Sequence, residues 1–377
     1  MNIIKSIISC IISTVSTTDM LVFASYPDYT DNAYAIFKYL AENGYDKKYR
    51  LVWLVSDKNQ LDRTRLNIQS LGYKAKVYYK KSLKGLWAAF RCRHVFCTHG
   101  FLEEIPIRQK QDKVVNLWHG MPVKRIGLMD NKDSDFCSNT NLLVANGDMF
   151  RTIMAESFGL DEKDVLVVGQ PRCDLLFEET DFFEKNIIDR TQYRKVGIWL
   201  PTYRSSIFGD IRTDGKFEEG FISFLDENGL DELNEELRKI NDLLIVKLHP
   251  MDRAQYYDFM KHSNIIIIKP DEFDSQLYPL LGASDYLLTD FSSVWVDYEM
   301  LRKPIGFVMN DTEDYSRGFT FDNVLDILPG PNLKNLRELV DFICQPYTTI
   351  PKLEFNKFHD NKSCERLVRI LNLKNKT

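Results

Sequence analysis

Two histidines occupy matching settings. His119 follows the apolar run VVNLW and precedes Gly120, Met121 and Pro122; His249 follows LLIVK and Leu248 and precedes Pro250. Both settings read as the carboxyl end of a β-strand, where glycine permits a tight turn and proline opens the next element. An imidazole there titrates near neutral pH and can act as a general base, or it can be a hydrogen-bonded turn residue. One such histidine is weak evidence, but one in each half of the chain is better. His94, His99, His262 and His359 have no comparable setting, and His262 and His359 read as surface residues.

The segment LLTDFSSVWVDYEMLRKP (287–304) carries a second kind of chemistry. A strand ends at Asp290, and Ser292 and Ser293 open a helix. Free N–H groups and the helix dipole at such an end suit a phosphate, and plain N-capping by Asp290 or Ser292 is compatible with that use. Asp297 falls about a turn further on, toward the ligand side, and Glu299 toward solvent. Arg204 in PTYR (201–204) and Arg317 in YSRGF (315–319) offer charge-assisted bonds to a diphosphate, and Lys124 and Arg125 add local positive charge. The sequence has no GxxxxGK[ST] loop, no strand-linked GxGxxG, no HExxH and no GxSxG. Kinase, dehydrogenase, zinc-protease and ordinary esterase readings lose support. What remains is anion recognition by helix ends, histidine and arginine, with no metal and no cofactor expected.

These residues need a scaffold that ends strands at them. Apolar runs at 21–27, 50–56, 75–79, 94–100, 113–120, 142–148 and 165–171 alternate with helical patterns such as 31–44, 59–71 and 82–91. A second series of runs occupies 195–203, 242–250, 264–270, 284–290 and 304–310, separated by helical segments near 231–241, 253–261, 274–281, 293–302 and 334–344. Strand–helix alternation predicts parallel sheets covered on both faces. The expected architecture is α/β, with two doubly wound Rossmann-like domains facing a central cleft, since ligands bind beyond the carboxyl ends of such strands. The polar stretch 178–194 marks the junction. The expected divisions are an amphipathic helix over 1–18, an N-terminal acceptor-side domain over 19–185 and a C-terminal nucleotide-donor domain over 186–377, whose last helix is a candidate to cross back.

Composition fits this plan. The 377 residues include 49 basic and 54 acidic ones, a net charge of −5, and 44% are hydrophobic. That is ordinary globular composition, and it argues against a dedicated nucleic-acid binder. Seven scattered cysteines, Cys10, Cys92, Cys97, Cys137, Cys173, Cys344 and Cys364, suit neither a zinc ribbon nor a disulfide framework. They read as small buried hydrophobes in a reducing cytoplasm. No apolar run reaches spanning length. Ile3, Ile4, Ile7, Ile8, Ile11, Ile12 and Val15 form a stripe at helical spacing. Such a helix can lie in a membrane interface or pack on protein, and its single Lys5 leaves the choice open.

NLWHGMPVKRIG (116–127), GQPRCD (169–174), PTYR, KLHP (247–250), LLTDFSSVWVDY (287–298), RKPIGF (302–307) and YSRGFTFD (315–322) occur in an order that resembles the CDP-glycerol glycerophosphotransferases of teichoic-acid and related surface-polymer synthesis. FASYPDYTDNAYAIFKYL (23–40) resembles the same family's N-terminal pattern, so the likeness spans residues 20–345. It implies a GT-B architecture and metal-independent transfer of a polyol phosphate from a CDP-activated donor to a hydroxyl of a lipid-linked or polysaccharide acceptor, releasing CMP. By the same likeness His119 is the general base and His249 the second catalytic histidine. Arg204, Ser292, Ser293 and Arg317 hold the donor diphosphate, and Asp297 and Asp290 meet donor sugar or polyol hydroxyls. The length is similar to that of the short priming enzymes. Met121 and Cys173 depart from the family pattern at positions that bear on the substrate pockets. The implied location is cytoplasmic, peripheral on the inner membrane face. The competing readings are a CDP-ribitol transferase, a sugar-nucleotide glycosyltransferase of the same architecture and a non-catalytic scaffold.

Overall fold

The computed structural model describes residues 14–103, 105, 114–132, 136–201, 225, 227–248, 262–269, 272–273, 275–290, 292–309, 318–321, 323–348 and 353–375. The expected amphipathic helix over 1–18, His249, Arg204, Arg317 and the segment 253–261 fall wholly or largely outside them. The described chain divides into two compact units. One contains the residues up to Pro122, Ile126–Leu175 and the stretch from Phe355; the other contains Val123–Arg125 and Leu176–Glu354.

The first unit is built on a seven-stranded sheet: β1 (Met20–Ala24), β2 (Arg50–Val55), β3 (Ala75–Tyr79), β4 (His94–Cys97), β5 (Val114–Asn116), β6 (Leu142–Ala145) and β7 (Val165–Val167). Their order is β3-β2-β1-β4-β5-β6-β7 and every pairing is parallel. Helices Asp31–Glu42, Gln60–Ser70, Leu83–Arg91 and Asp148–Phe158 make the crossovers. A central strand of such a sheet is covered on both faces, which is why β1 reads MLVFA and is buried throughout. Phe23 anchors its middle, stacked on Trp53 and Phe96 at 6.0 and 5.4 Å and edge-on to Phe37 at 5.2 Å. The strand order reverses direction at β1/β4, a switch point of the kind that binds ligands.

The second unit holds a five-stranded parallel sheet: β8 (Val196–Leu200), β9 (Leu243–Lys247), β10 (Ile265–Ile268), β11 (Tyr286–Thr289) and β12 (Ile305–Phe307), in the order β10-β9-β8-β11-β12. Its core gathers Trp199, Leu244, Val246, Tyr286, Leu288, Leu339 and Phe342. Gly197 is required on β8, because a Cβ there would lie 2.1 Å from the Tyr286 ring of the neighbouring strand.

Each of the twelve apolar runs coincides with a strand, β1 starting one residue before its run, and the strand stops short of the run's carboxyl end in all but the run at 75–79. The division between units falls at Leu175/Leu176 rather than at 185/186. Phe182, buried, packs 6.2 Å from Phe273, and Gly282 lies so close to Leu176 that a Cβ would stand 1.9 Å from its carbonyl oxygen. Both contacts tie 176–185 to the second unit. The helix Ser363–Ile370 belongs to the first, where the Asp174 carboxylate accepts from Ser363 N and Cys364 N, each at 2.8 Å.

Candidate active site

In the first unit, adjacent strands β4 and β5 deliver Thr98–His99 and Trp118–His119 to the same edge of the sheet. The chain turns sharply there: Trp118 has φ +55° and Gly120 φ +141°. Holding a non-glycine residue in the left-handed region costs energy, so the surroundings must fix it. They do so through three consecutive carbonyls. Gln170 Nε2 donates to Leu117 O at 2.9 Å, Asn32 Nδ2 to Trp118 O at 2.8 Å, and Arg172 Nη1 to His119 O at 3.0 Å. These clamps hold one another. Asn32 Nδ2 also bonds Gln170 Oε1, Asn32 Oδ1 accepts from Arg172 N at 2.9 Å, and Arg172 Nη1 pairs with Asp31 at 2.8 Å. Asn32, Gln170 and Arg172 are all buried, so the network acts in a low-dielectric setting where satisfied hydrogen bonds are strong.

The clamped loop presents an imidazole in a defined state. His119 Nδ1 lies 3.1 Å from Thr98 O. A carbonyl oxygen only accepts, so in the neutral ring Nδ1 carries the proton and Nε2 the lone pair. The ring stacks on His99 at 4.2 Å and 11° and lies 3.9 Å from Trp118. Desolvation by these walls lowers its pKa to about 4, with the Arg172 charge acting the same way and the Thr98 bond opposing. His119 keeps an exposed edge, and water there relieves part of that desolvation. The ring is neutral at pH 7 and able to take a proton.

His99, which has no distinctive setting in the sequence, lies against His119, with its Nδ1 3.0 Å from Thr98 Oγ1 and its ring edge-on to Tyr26 at 5.9 Å. The repeated pattern of strand, histidine and glycine in THG (98–100) and WHG (118–120) is the signal that could have found it. Asn32 and Gln170 carried no comparable signal, because their partners are main-chain atoms distant in sequence.

In the second unit, β8 and β11 are neighbours, and Thr289 Oγ1 closes their ends by donating to Leu200 O at 3.0 Å. Ser292 and Ser293, half-buried, precede the helix Val294–Glu299. All six residues of that helix are buried. This corrects one expectation: Glu299 is buried rather than solvent-facing. Asp297 is buried too, and its Oδ2 accepts from Tyr278 OH at 2.6 Å. Asp290 is buried as well. A one-sided helical wheel misassigns a helix enclosed on every side. Lys247 ends β9 two residues before His249, with its ammonium 4.9 Å from the Phe273 ring, and burial lowers its pKa to about 8. Lys247 is the first residue of KLHP.

Other expectations also change. Met121 is buried, and its Sδ lies 3.4 Å from Asn146 N; Cys173 is buried too, so both departures from the family pattern lie in the interior. The His262 side chain is only 7% exposed and contacts Asp231 at 3.0 Å, so it is no surface residue. Lys124 pairs across a β-bridge with Phe319, and Arg125 Nε donates to Phe319 O at 3.1 Å. Among the described residues no cluster of three His, Cys, Asp or Glu is placed to hold a metal ion. The sequence does contain an acidic triplet, Asp133-Ser134-Asp135, of the spacing that holds metal–nucleotide complexes in other transferases; it lies outside the described residues.

The family model of CDP-Glycerol:Poly(glycerophosphate) glycerophosphotransferase matches residues 8–373. The chain belongs to this family. Among relatives, the teichoic acid glycerol-phosphate primase of Bacillus subtilis (strain 168) is 27% identical over 310 residues, which cover 77% of this chain and 76% of the relative. The teichoic acid poly(ribitol-phosphate) polymerase of Bacillus spizizenii is 27% identical over 292 residues, 70% of this chain but 44% of that one. Among solved structures, the wall teichoic acid polymerase TagF superposes with a TM-score of 0.68 at 20% identity, covering 98% of this chain and 92% of that one. The family member described here therefore has the GT-B fold, with two Rossmann-like units. Among the described residues no helix is long and apolar enough to cross a membrane.

Proposed function

We propose that this glycerophosphotransferase moves glycerol phosphate from CDP-glycerol to a hydroxyl of a lipid-linked or polysaccharide acceptor, at the cytoplasmic face of the membrane, in teichoic-acid or related surface-polymer synthesis. The acceptor oxygen attacks the β-phosphorus, the bond from that phosphorus to the bridging oxygen breaks, CMP leaves with the bridging electrons, and a phosphodiester forms. His119 Nε2 takes the acceptor proton. The observation that carries this reading is the state of that ring: Nδ1 committed to Thr98 O, Nε2 holding a lone pair, and the main chain clamped by Asn32, Gln170 and Arg172.

In this proposal the donor diphosphate is bound by Ser292 and Ser293 at the end of β11, with His249, Arg204 and Arg317 assigned by their family motifs. Preorganised donors of this kind offset the charge that develops on the phosphoryl oxygens. Lys247 adds a cation at the end of β9. Asp297 and Asp290, both buried, are assigned to the donor's sugar or polyol hydroxyls by the same family motif.

The test incubates the protein with CDP-glycerol, CDP-ribitol or a UDP-sugar and a lipid-linked disaccharide, and identifies the nucleotide released. CMP from CDP-glycerol, absent with His119→Ala, is the expected result. Preference for CDP-ribitol reassigns the polyol. Release of UDP from a UDP-sugar, or of no CMP from any CDP-polyol, overturns the reading.

A further inference from the structure

Thr98 joins three strand ends in the first unit. It is fully buried just beyond β4. Its carbonyl oxygen accepts from His119 Nδ1, beyond β5, and its hydroxyl oxygen accepts from Tyr26 N, beyond β1, at 3.4 Å. The hydroxyl also lies 3.0 Å from His99 Nδ1. A buried hydroxyl proton needs an acceptor. A main-chain N–H only donates, so the only acceptor that this proton meets among the described residues is His99 Nδ1. The neutral His99 ring therefore carries its own proton on Nε2. One residue sets both imidazoles, and it sets them in opposite tautomers: His119 has its lone pair on Nε2, and His99 has its proton there.

The Thr98 carbonyl fixes one atom of the His119 ring, not its plane. The ring can still swing about that bond, or turn over about χ2 and present a carbon where Nδ1 stood. Trp118 meets it tilted at 40°, which limits the swing without defining a plane. The His99 ring does define one, because it lies flat on His119, with 4.2 Å between centroids and 11° between planes. His99 is itself pinned, by Thr98 Oγ1 at Nδ1 and by the Tyr26 ring edge-on at 5.9 Å. A phenyl ring at this position would have a similar flat face but no bond to the hydroxyl.

We infer that His99 is a positioning residue: tethered by the Thr98 hydroxyl, it holds the plane of the His119 ring and with it the direction of the Nε2 lone pair. The inference rests on the proposed role of His119 as the base. A lone pair is directional, so a ring that tips away loses rate without loosening the substrates. His99 supplies a face and a tether; the transferred proton goes to His119 Nε2.

Nitrogen NMR of the whole protein, labelled in its histidine rings, reads this arrangement without turnover. Near neutral pH two opposite tautomers are expected: a pattern with the proton on Nδ1 that vanishes in His119→Asn, and one with the proton on Nε2 that vanishes in His99→Phe. Thr98→Val keeps the carbonyl and the shape but removes the hydroxyl, and it is expected to move the His99 pattern toward a tautomer average. His99→Ala is expected to average the His119 pattern, and His99→Phe to preserve it. With CDP-glycerol, His99→Ala and His99→Asn are expected to lower kcat about tenfold with KM within about twofold, and His99→Phe to recover most of the loss. Asparagine can accept from Thr98 without offering a ring, so this comparison separates the face from the hydrogen bond. A His119 pattern unchanged in His99→Ala overturns the inference. So does a His99→Phe variant no faster than His99→Ala, which would give His99 a direct bond to substrate, or a rise in KM alone. If no CDP-polyol is turned over, the nitrogen spectra still decide whether His99 holds His119, so failure here and failure of the proposed chemistry are told apart.

Discussion

The carbonyl of Thr98 decides which nitrogen of His119 holds a proton, and the walls around the ring decide when the other acquires one. Because desolvation lowers the pKa toward about 4, the acid limb of kcat/KM is expected below pH 6, under the ordinary histidine value of 6.5. An acid limb at 6.5 or above would remove the desolvated base. The same shift is a stability statement. Between the folded and unfolded pKa values the unfolded chain binds the extra proton, so the contribution is full above pH 6.5 and is lost as pH falls toward 4. In denaturant melts, His119→Asn is expected to flatten that acid-side loss.

Arg172 acts through the loop rather than on substrate. Arg172→Lys keeps the charge but cannot reach Asp31 and His119 O with one planar group. We expect kcat to fall about tenfold to a hundredfold with the KM for CDP-glycerol little changed, since a misplaced base slows chemistry without loosening the donor. A rise in KM alone would mean that Arg172 binds the donor. His119 was legible from its strand-end setting and Arg172 stood unremarked inside GQPRCD, whereas the clamp itself was not legible. Its bonds run from Asn32 to Trp118 and from Gln170 to Leu117, and no local pattern encodes pairs so far apart in the chain.

At the scale of elements, close backbone contacts set the geometry of the second unit. Gly282→Ala would push a methyl into the Leu176 carbonyl, a backbone atom that cannot swing aside. A loss of about 1–3 kcal/mol is expected, read as a lower midpoint in chemical denaturation; an unchanged midpoint would mean that 176–185 is not held there. Strand positions were readable because a strand buried on both faces must be continuously apolar over four to eight residues. Their ends were not, since LWHG and LHP continue the apolar texture after the ladder stops. The helix Val294–Glu299 was found but its faces were misread, because a six-residue helix buried all round has no polar stripe to orient it.

At the scale of the whole molecule, cysteine chemistry gives a simple check. Cys92, Cys97, Cys137, Cys173 and Cys364 are buried thiols outside any disulfide, and burial drives the Cys97 thiol far up and the Cys137 thiol to about 12. Native stability and turnover are therefore expected to be indifferent to reductant, and half-buried Cys344 to be alkylated before those five. Faster labelling of Cys97 would mean that the first unit opens more readily than its packing implies.

Asp174 caps a helix that begins 189 residues later, at Ser363. On a ribosome the first unit thus waits, one helix short, until the chain beyond residue 370 has left the exit tunnel. The unit encoded in the middle has all its strands and helices to hand sooner. Birth order and completion order are reversed, and a nascent chain that has emerged only as far as residue 354 would carry a finished second unit beside a first unit still lacking its last helix.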